Sequence, residues 1–121
     1  MFEILDQRKS LVNFLWKSLP HLQALIITNN DGNLLEYRIS EKYQESNLPS
    51  FEQIARKVSI RFRIVDFDTE LGGLAMTINV FKTNIMLVQP LQSDHILILL
   101  IPKGTNVEHA VEVIKNVQII N

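Results

Sequence analysis

The sequence predicts an α+β domain whose elements run in the order α-β-β-α-β-β-β-α. Three observations carry this reading. An Asn-Asp-Gly turn at Asn30-Asp31-Gly32 separates two strand-like runs, a strong short-range hairpin signal. Ile85 to Val88 and Ile96 to Ile101 are nearly all apolar, as interior strands covered on both faces are. Apolar residues at both ends of the chain recur with helical spacing.

Length and composition bound the rest. At 121 residues, 46% apolar and 21% charged, the chain is read as one domain spanning 1–121. A fold of this size buries roughly two thirds of its unfolded surface, so it needs no disulfide or metal to hold it. The sequence has no cysteine, which excludes thiol catalysis, Cys-ligated metals and a disulfide scaffold, and fits a reducing interior. A net charge of -1 gives no pull towards polyanions, so nucleic acid is not expected as a partner. Acids near the start, at Glu3 and Asp6, are unlike a signal peptide, and the run Ile96 to Ile101 is far shorter than a bilayer span. The expectation is a soluble, cytoplasmic protein that does not insert into membranes.

The first helix is expected from Glu3 to Leu19, with Leu5, Val12, Leu15, Trp16 and Leu19 on one side and Pro20 as its stop. Ala24 to Ile27 then reads as a strand buried on both faces. Leu35 to Ser40 alternates and reads as a half-exposed strand at a sheet edge. After a polar stretch, Ser50-Phe51-Glu52-Gln53 has the form of a capping box, so a second helix should start at Ser50 and end at Gly72-Gly73. Strands are expected at Leu74 to Val80, Asn84 to Leu91 and His95 to Pro102, the last two joined by Gln92-Ser93-Asp94. Gly104 breaks the final strand, and Thr105-Asn106-Val107-Glu108 forms a second capping box. The last helix carries Val107, Ala110, Val111, Ile114 and Val117 on one stripe and runs close to the C-terminus.

The middle helix carries the most information. Val58 to Ile64 alternates like a strand, but the wider window keeps helical spacing over several turns. Phe51, Ile54, Ala55, Val58, Phe62 and Val65 form one stripe, and Ile60, Ile64, Phe67 and Leu71 form another opposite it. One stripe suffices to cover a sheet, so the second points to another chain. Arg56, Lys57, Arg61 and Arg63 occupy the first part, while Asp66, Asp68 and Glu70 sit in the last turns, where the macrodipole disfavours anions. Antiparallel pairing with its own copy about a two-fold axis near Phe62 sets the basic half beside the acidic half. The strand Leu74 to Val80 has no charge and no proline, so as an edge it lacks the usual guards against pairing. The interface drawn this way comprises Arg56, Lys57, Ile60, Arg61, Ile64, Phe67, Asp68, Leu71, Leu74, Met76, Ile78 and Val80.

Other constellations fail as chemistry. Asp66-x-Asp68-x-Glu70 lacks the glycine a calcium loop needs at its sixth position, where Leu71 stands. His21, His95 and His109 have no ligand spacing, and each adjoins a turn or a helix surface, so no metal is expected. Neither a nucleophile elbow nor a glycine-rich phosphate loop between strand and helix is present, so neither enzyme activity nor a cofactor is expected. Tyr37 and Arg38 are a weak base-stacking pair without a basic field around them.

With this order, the chain resembles the roadblock family, small domains related to dynein light chains and to bacterial and archaeal partners of Ras-like GTPases. The resemblance spans nearly the whole chain. It is carried by a leading helix ending in Leu19-Pro20 and by the strand and turn Ala24-Leu25-Ile26-Ile27-Thr28-Asn29-Asn30-Asp31-Gly32. The strands Met86-Leu87-Val88-Gln89-Pro90-Leu91 and His95-Ile96-Leu97-Ile98-Leu99-Leu100 and the closing amphipathic helix complete it. It implies the roadblock, profilin-like fold: a five-stranded antiparallel sheet of order 2-1-5-4-3, with the first and last helices on one face and the middle helix on the other. It also implies dimerisation through the third strand and the middle helix, and a non-enzymatic platform that binds a small Ras-like GTPase or joins other roadblock or longin subunits. The competing reading is a sensory α/β domain with a small ligand between sheet and helix, which requires a roomy cavity with converging polar groups.

Overall fold

The structure is a computed structural model that describes residues 2–41, 51–65, 76–91, 94–115 and 117; for residues 2–6, 51–52 and 61–65 it describes the backbone alone. The elements are α1 (Phe2–Ser18), β1 (Ala24–Asn29), β2 (Leu34–Ile39), α2 (Phe51–Val65), β3 (Thr77–Val80), β4 (Asn84–Leu91), β5 (His95–Pro102) and α3 (Val107–Ile114). The strands form one sheet of order β2-β1-β5-β4-β3, and all neighbours are antiparallel. The element order, the sheet order and both edge strands are those expected.

Side-chain alternation along the strands builds two cores from one sheet. Leu25, Ile27, Leu87, Leu97, Leu99 and Ile101 face α1 and α3, where they join Leu11, Leu15, Ala110 and Ile114. Ala24, Ile26, Val88, Ile96, Ile98 and Leu100 face the opposite way, towards Val58 and Ile54 of α2. β1 and β5 are apolar on both faces because both faces are covered, which is why their sequences run without alternation. β2, at the edge, is only half buried.

The β1–β2 turn fixes where α2 lies. Asn29 Oδ1 accepts the amides of Asp31 and Asn33 at 3.0 and 2.9 Å, a local Asx turn that closes the hairpin. Gly32 holds φ at +87°, a left-handed conformation that costs an L side chain energy. A Cβ there would stand 3.1 Å from Cα of Arg56, so the missing side chain lets the backbone of α2 come down onto the turn. Ser59, 1% exposed, locks the contact by donating its hydroxyl to the Asn29 carbonyl at 3.2 Å. α2 thereby crosses β1 and β2.

Several expectations are corrected. β2 begins at Leu34 rather than Leu35, because the register shifts between Ile27 and Thr28 and pairs Leu34 with Thr28. The third strand is observed over Thr77–Val80 with Met76 preceding it, while Leu74 and Ala75, at its expected start, lie outside the described residues. Phe81 donates to the Asn84 carbonyl, so the alternating pattern also bonds Asn79 with Met86 and Thr77 with Val88. The next bonded position on β4 is Pro90, which has no N–H to give. At α3 the cap is Asn106, not Thr105: its side chain accepts the amide of His109 at 3.2 Å, while the Thr105 amide is used in a turn to the Pro102 carbonyl. α3 ends at Ile114, and Val117 lies beyond the helix although it still packs on the α1/α3 core. His95 directly follows the turn residue Asp94, as expected, and is buried. It is 7% exposed at the start of β5, where its Nε2 is 3.2 Å from Nη1 of Arg8. The capping box at Ser50, the Gly72-Gly73 stop and the connection through Gln92-Ser93 lie outside the described residues.

Candidate interaction surface

β3 is the site's foundation, since it is bonded to β4 on one side and ends the sheet on the other. Because Thr77 and Asn79 turn their backbone groups to β4, those of Ile78 and Val80 are directed away from it. The side chains divide the same way. Ile78 lies opposite Leu87 and Val80 opposite Ile85, both on the α1/α3 face, whereas Asn79 lies opposite Met86 on the α2 face. Asn79 is held there by donating to Thr77 Oγ1 at 3.2 Å.

Apolar exposure concentrates at this edge. Among the described residues six large apolar side chains are exposed, and Ile78, Val80 and Phe81 are three of them, with Val80 at 65%. Met76, in contrast, is partly buried against the α1/α3 core. Phe81 was not among the expected residues; an aromatic side chain directly before the polar turn Lys82-Thr83 was the available signal.

On α2 the sheet-facing stripe is observed, and of the expected opposed stripe only the side chain of Ile60 is described. Ala55 and Val58 are buried against the sheet, while Ile60 is 53% exposed and Arg56 and Lys57 are exposed beside it. Arg61 and Ile64 lie within α2, but their side chains are outside the described set. Phe67, Asp68, Leu71 and Leu74 lie outside the described residues altogether.

The expected residues whose side chains are described therefore fall in two groups on opposite faces of the sheet. Ile78 and Val80 project to the α1/α3 face, and Ile60, Arg56 and Lys57 belong to α2 on the other. Sequence parity marks Met76, Ile78 and Val80 as sharing a face without saying which; the pairing register with β4 decides it. Tyr37 and Arg38 also separate. Tyr37 lies opposite Ile26 on the α2 face, while the Arg38 guanidinium stands 5.5 Å over the Trp16 ring and donates to Asn13 Oδ1 at 3.1 Å on the other. They cannot serve as one stacking platform.

Among the described residues no group of three His, Asp or Glu gathers to hold a metal, and no helix is long and apolar enough to cross a membrane. What the arrangement offers is a β-edge that pairs with no strand among the described residues, beside exposed apolar side chains, a geometry for adding a strand from another chain.

A five-stranded antiparallel sheet with β2 and β3 at its edges, two helices on one face and one on the other defines the class of this α+β domain. Its counterparts among solved structures are roadblock proteins. Gliding protein MglB from Thermus thermophilus superposes with a TM-score of 0.73 at 11% identity, covering 88% of this chain and 84% of that one. The Roadblock/LC7 domain from Streptomyces avermitilis gives 0.64 at 13% identity, covering 84% and 81%. MglC from Myxococcus xanthus gives 0.66 at 10% identity, covering 90% and 91%. The chain has the roadblock fold. No protein-family model and no curated protein sequence matches it.

Proposed function

We propose that this chain is a roadblock-family regulatory subunit of the cytoplasm that acts without catalysis. It pairs with a second copy through β3 and α2 and presents the joint surface to a small Ras-like GTPase. The outer edge of β3, which pairs with no strand among the described residues and has Ile78 and Val80 exposed along it, is the observation that supports the pairing. Antiparallel addition of a second β3 bonds the outward groups of Ile78 and Val80 to the same groups of the partner. This sets those side chains of both copies side by side on the α1/α3 face. Ile60 of α2, with Arg56, Lys57, Arg61 and Ile64, forms the helical half of the contact, and Phe67, Asp68, Leu71 and Leu74 complete it. The likeness to MglB and MglC supports the family, one of the MglB structures being described as a tetrameric arrangement. The GTPase partner rests on the sequence resemblance.

Light scattering tests the pairing. The wild type is expected as a dimer at about 100 µM, a concentration that populates complexes of micromolar Kd. Val80→Pro removes one outward N–H while sparing the bonds to β4, and Ile60→Asp places a charge in the helical contact. Both variants should be monomers with unchanged circular dichroism; a monomeric wild type would sink the reading. Co-elution with Ras-like GTPases of the same organism, loaded with GTP or GDP, tests the second half, and failure to bind any of them in either state refutes it.

A further inference from the structure

The end of the domain where α1 stops and α3 starts holds a cleft of about 150 Å³ that the pairing reading does not use. We infer that this cleft binds a small aromatic carboxylate. Its floor is Leu19, Leu22, Ile101 and Ala110, each at most 5% exposed and each part of the α1/α3 core. The floor is thus held by the packing of the whole domain and needs no rearrangement to receive a ligand. An apolar cavity of this volume accepts a six-membered ring. Ala110 keeps it open, since it is the smallest side chain on the inward stripe of α3.

The rim sets the polar end of the ligand. His21 and His109 are exposed residues of the lining, one following α1 and one on the first turns of α3, and Thr105 and Asn106 line the cleft with them. The Asn106 side-chain oxygen is engaged by the His109 amide, which leaves its NH2 group as donor. The imidazoles and the Thr105 hydroxyl supply further N–H and O–H groups. Among the described residues no carboxylate lines the cleft. A ligand amine therefore meets no counter-charge from them, whereas a carboxylate meets donors from several directions, and charge-assisted bonds of this kind are the stronger ones. The chemistry selected is a flat ring for the floor with a carboxylate at the mouth. None of these lining residues belongs to α2 or β3, so this binding is independent of the proposed dimer.

Methyl and amide NMR of the full chain, titrated with benzoate, benzylamine and benzamide, tests the inference. Benzoate should move the Leu22, Ile101 and Ala110 methyl signals saturably. The double variant His21→Ala/His109→Ala, changed only at exposed positions, should bind benzoate at least about tenfold more weakly. Ala110→Met should fill the cleft and abolish binding; if that variant does not fold, the histidine variant decides alone. Absence of a saturable shift with benzoate overturns the inference, as does unchanged affinity in the histidine variant. Benzylamine binding as tightly as benzoate overturns the choice of an anion. Equal binding of benzamide also overturns it, because a neutral amide would then serve as well as the carboxylate.

Discussion

Replacing Gly32 with alanine probes how α2 is seated, and Gly104→Ala supplies its control. Both glycines have positive φ, +87° and +104°, so each substitution carries the torsional cost of a left-handed L residue, about 1–2 kcal/mol. They differ in surroundings. A Cβ at 104 meets nothing within 4 Å, whereas at 32 it meets Cα of Arg56 at 3.1 Å, a backbone atom that moves only if the helix moves. Lifting α2 also strains the bond from Ser59 to the Asn29 carbonyl, which adds about 1 kcal/mol. Gly32→Ala should therefore cost about 2–3 kcal/mol and Gly104→Ala about 1–2. With a urea m-value of about 2 kcal/mol per molar, the midpoints should fall by about 1–1.5 M and about 0.5–1 M respectively. Chemical denaturation followed by circular dichroism gives both. Equal losses in the two variants would show that the close approach of α2 contributes nothing, and the account of its seating would be wrong.

Other expectations follow from single contacts. Asn106→Ala should cost about 1 kcal/mol and Thr105→Ala a few tenths in the same assay, because the first removes the cap of α3 and the second does not. Leu99→Ala, at the centre of the row Leu25-Leu99-Leu87 and fully buried, should cost about 2–5 kcal/mol and lower Tm accordingly. Ser59→Ala should cost only about 0.5–1.5 kcal/mol, since the Asn29 carbonyl still accepts the Gly32 amide. A larger loss measured by urea unfolding would mean the hydroxyl does more than join α2 to the turn.

The layers were legible because burial leaves a direct trace in composition. The uninterrupted apolar runs of β1 and β5 could only be covered on both sides, and the alternation in β2 placed it at an edge. Features that depend on a partner elsewhere in the chain were not legible. The ladder that holds β3 meets Pro90, which has no N–H to give, thirteen residues away from Thr77. The contact between His95 and Arg8 joins β5 to a residue far off on α1. Thr105 and Asn106 are both good caps in isolation, and only the turn to Pro102 chooses between them. At the candidate surface, the exposure of Ile60 followed from helical spacing, but the division of the surface between two faces followed from register, which no single segment encodes.

The shortness of β3 bears on how long any complex at this edge can last. Within Thr77–Val80 only Ile78 and Val80 turn their backbone outwards, so a strand added along these described residues finds about four hydrogen bonds. At about 1 kcal/mol net apiece these fall well below the roughly 8 kcal/mol of a micromolar complex. The backbone seam can set alignment, but residence time is left to whichever side chains flank it. In the proposed dimer such an edge would favour exchange: subunits would trade places on it as their surroundings change, and their lifetimes together would be set by Ile60, Ile78 and Val80 rather than by the main chain.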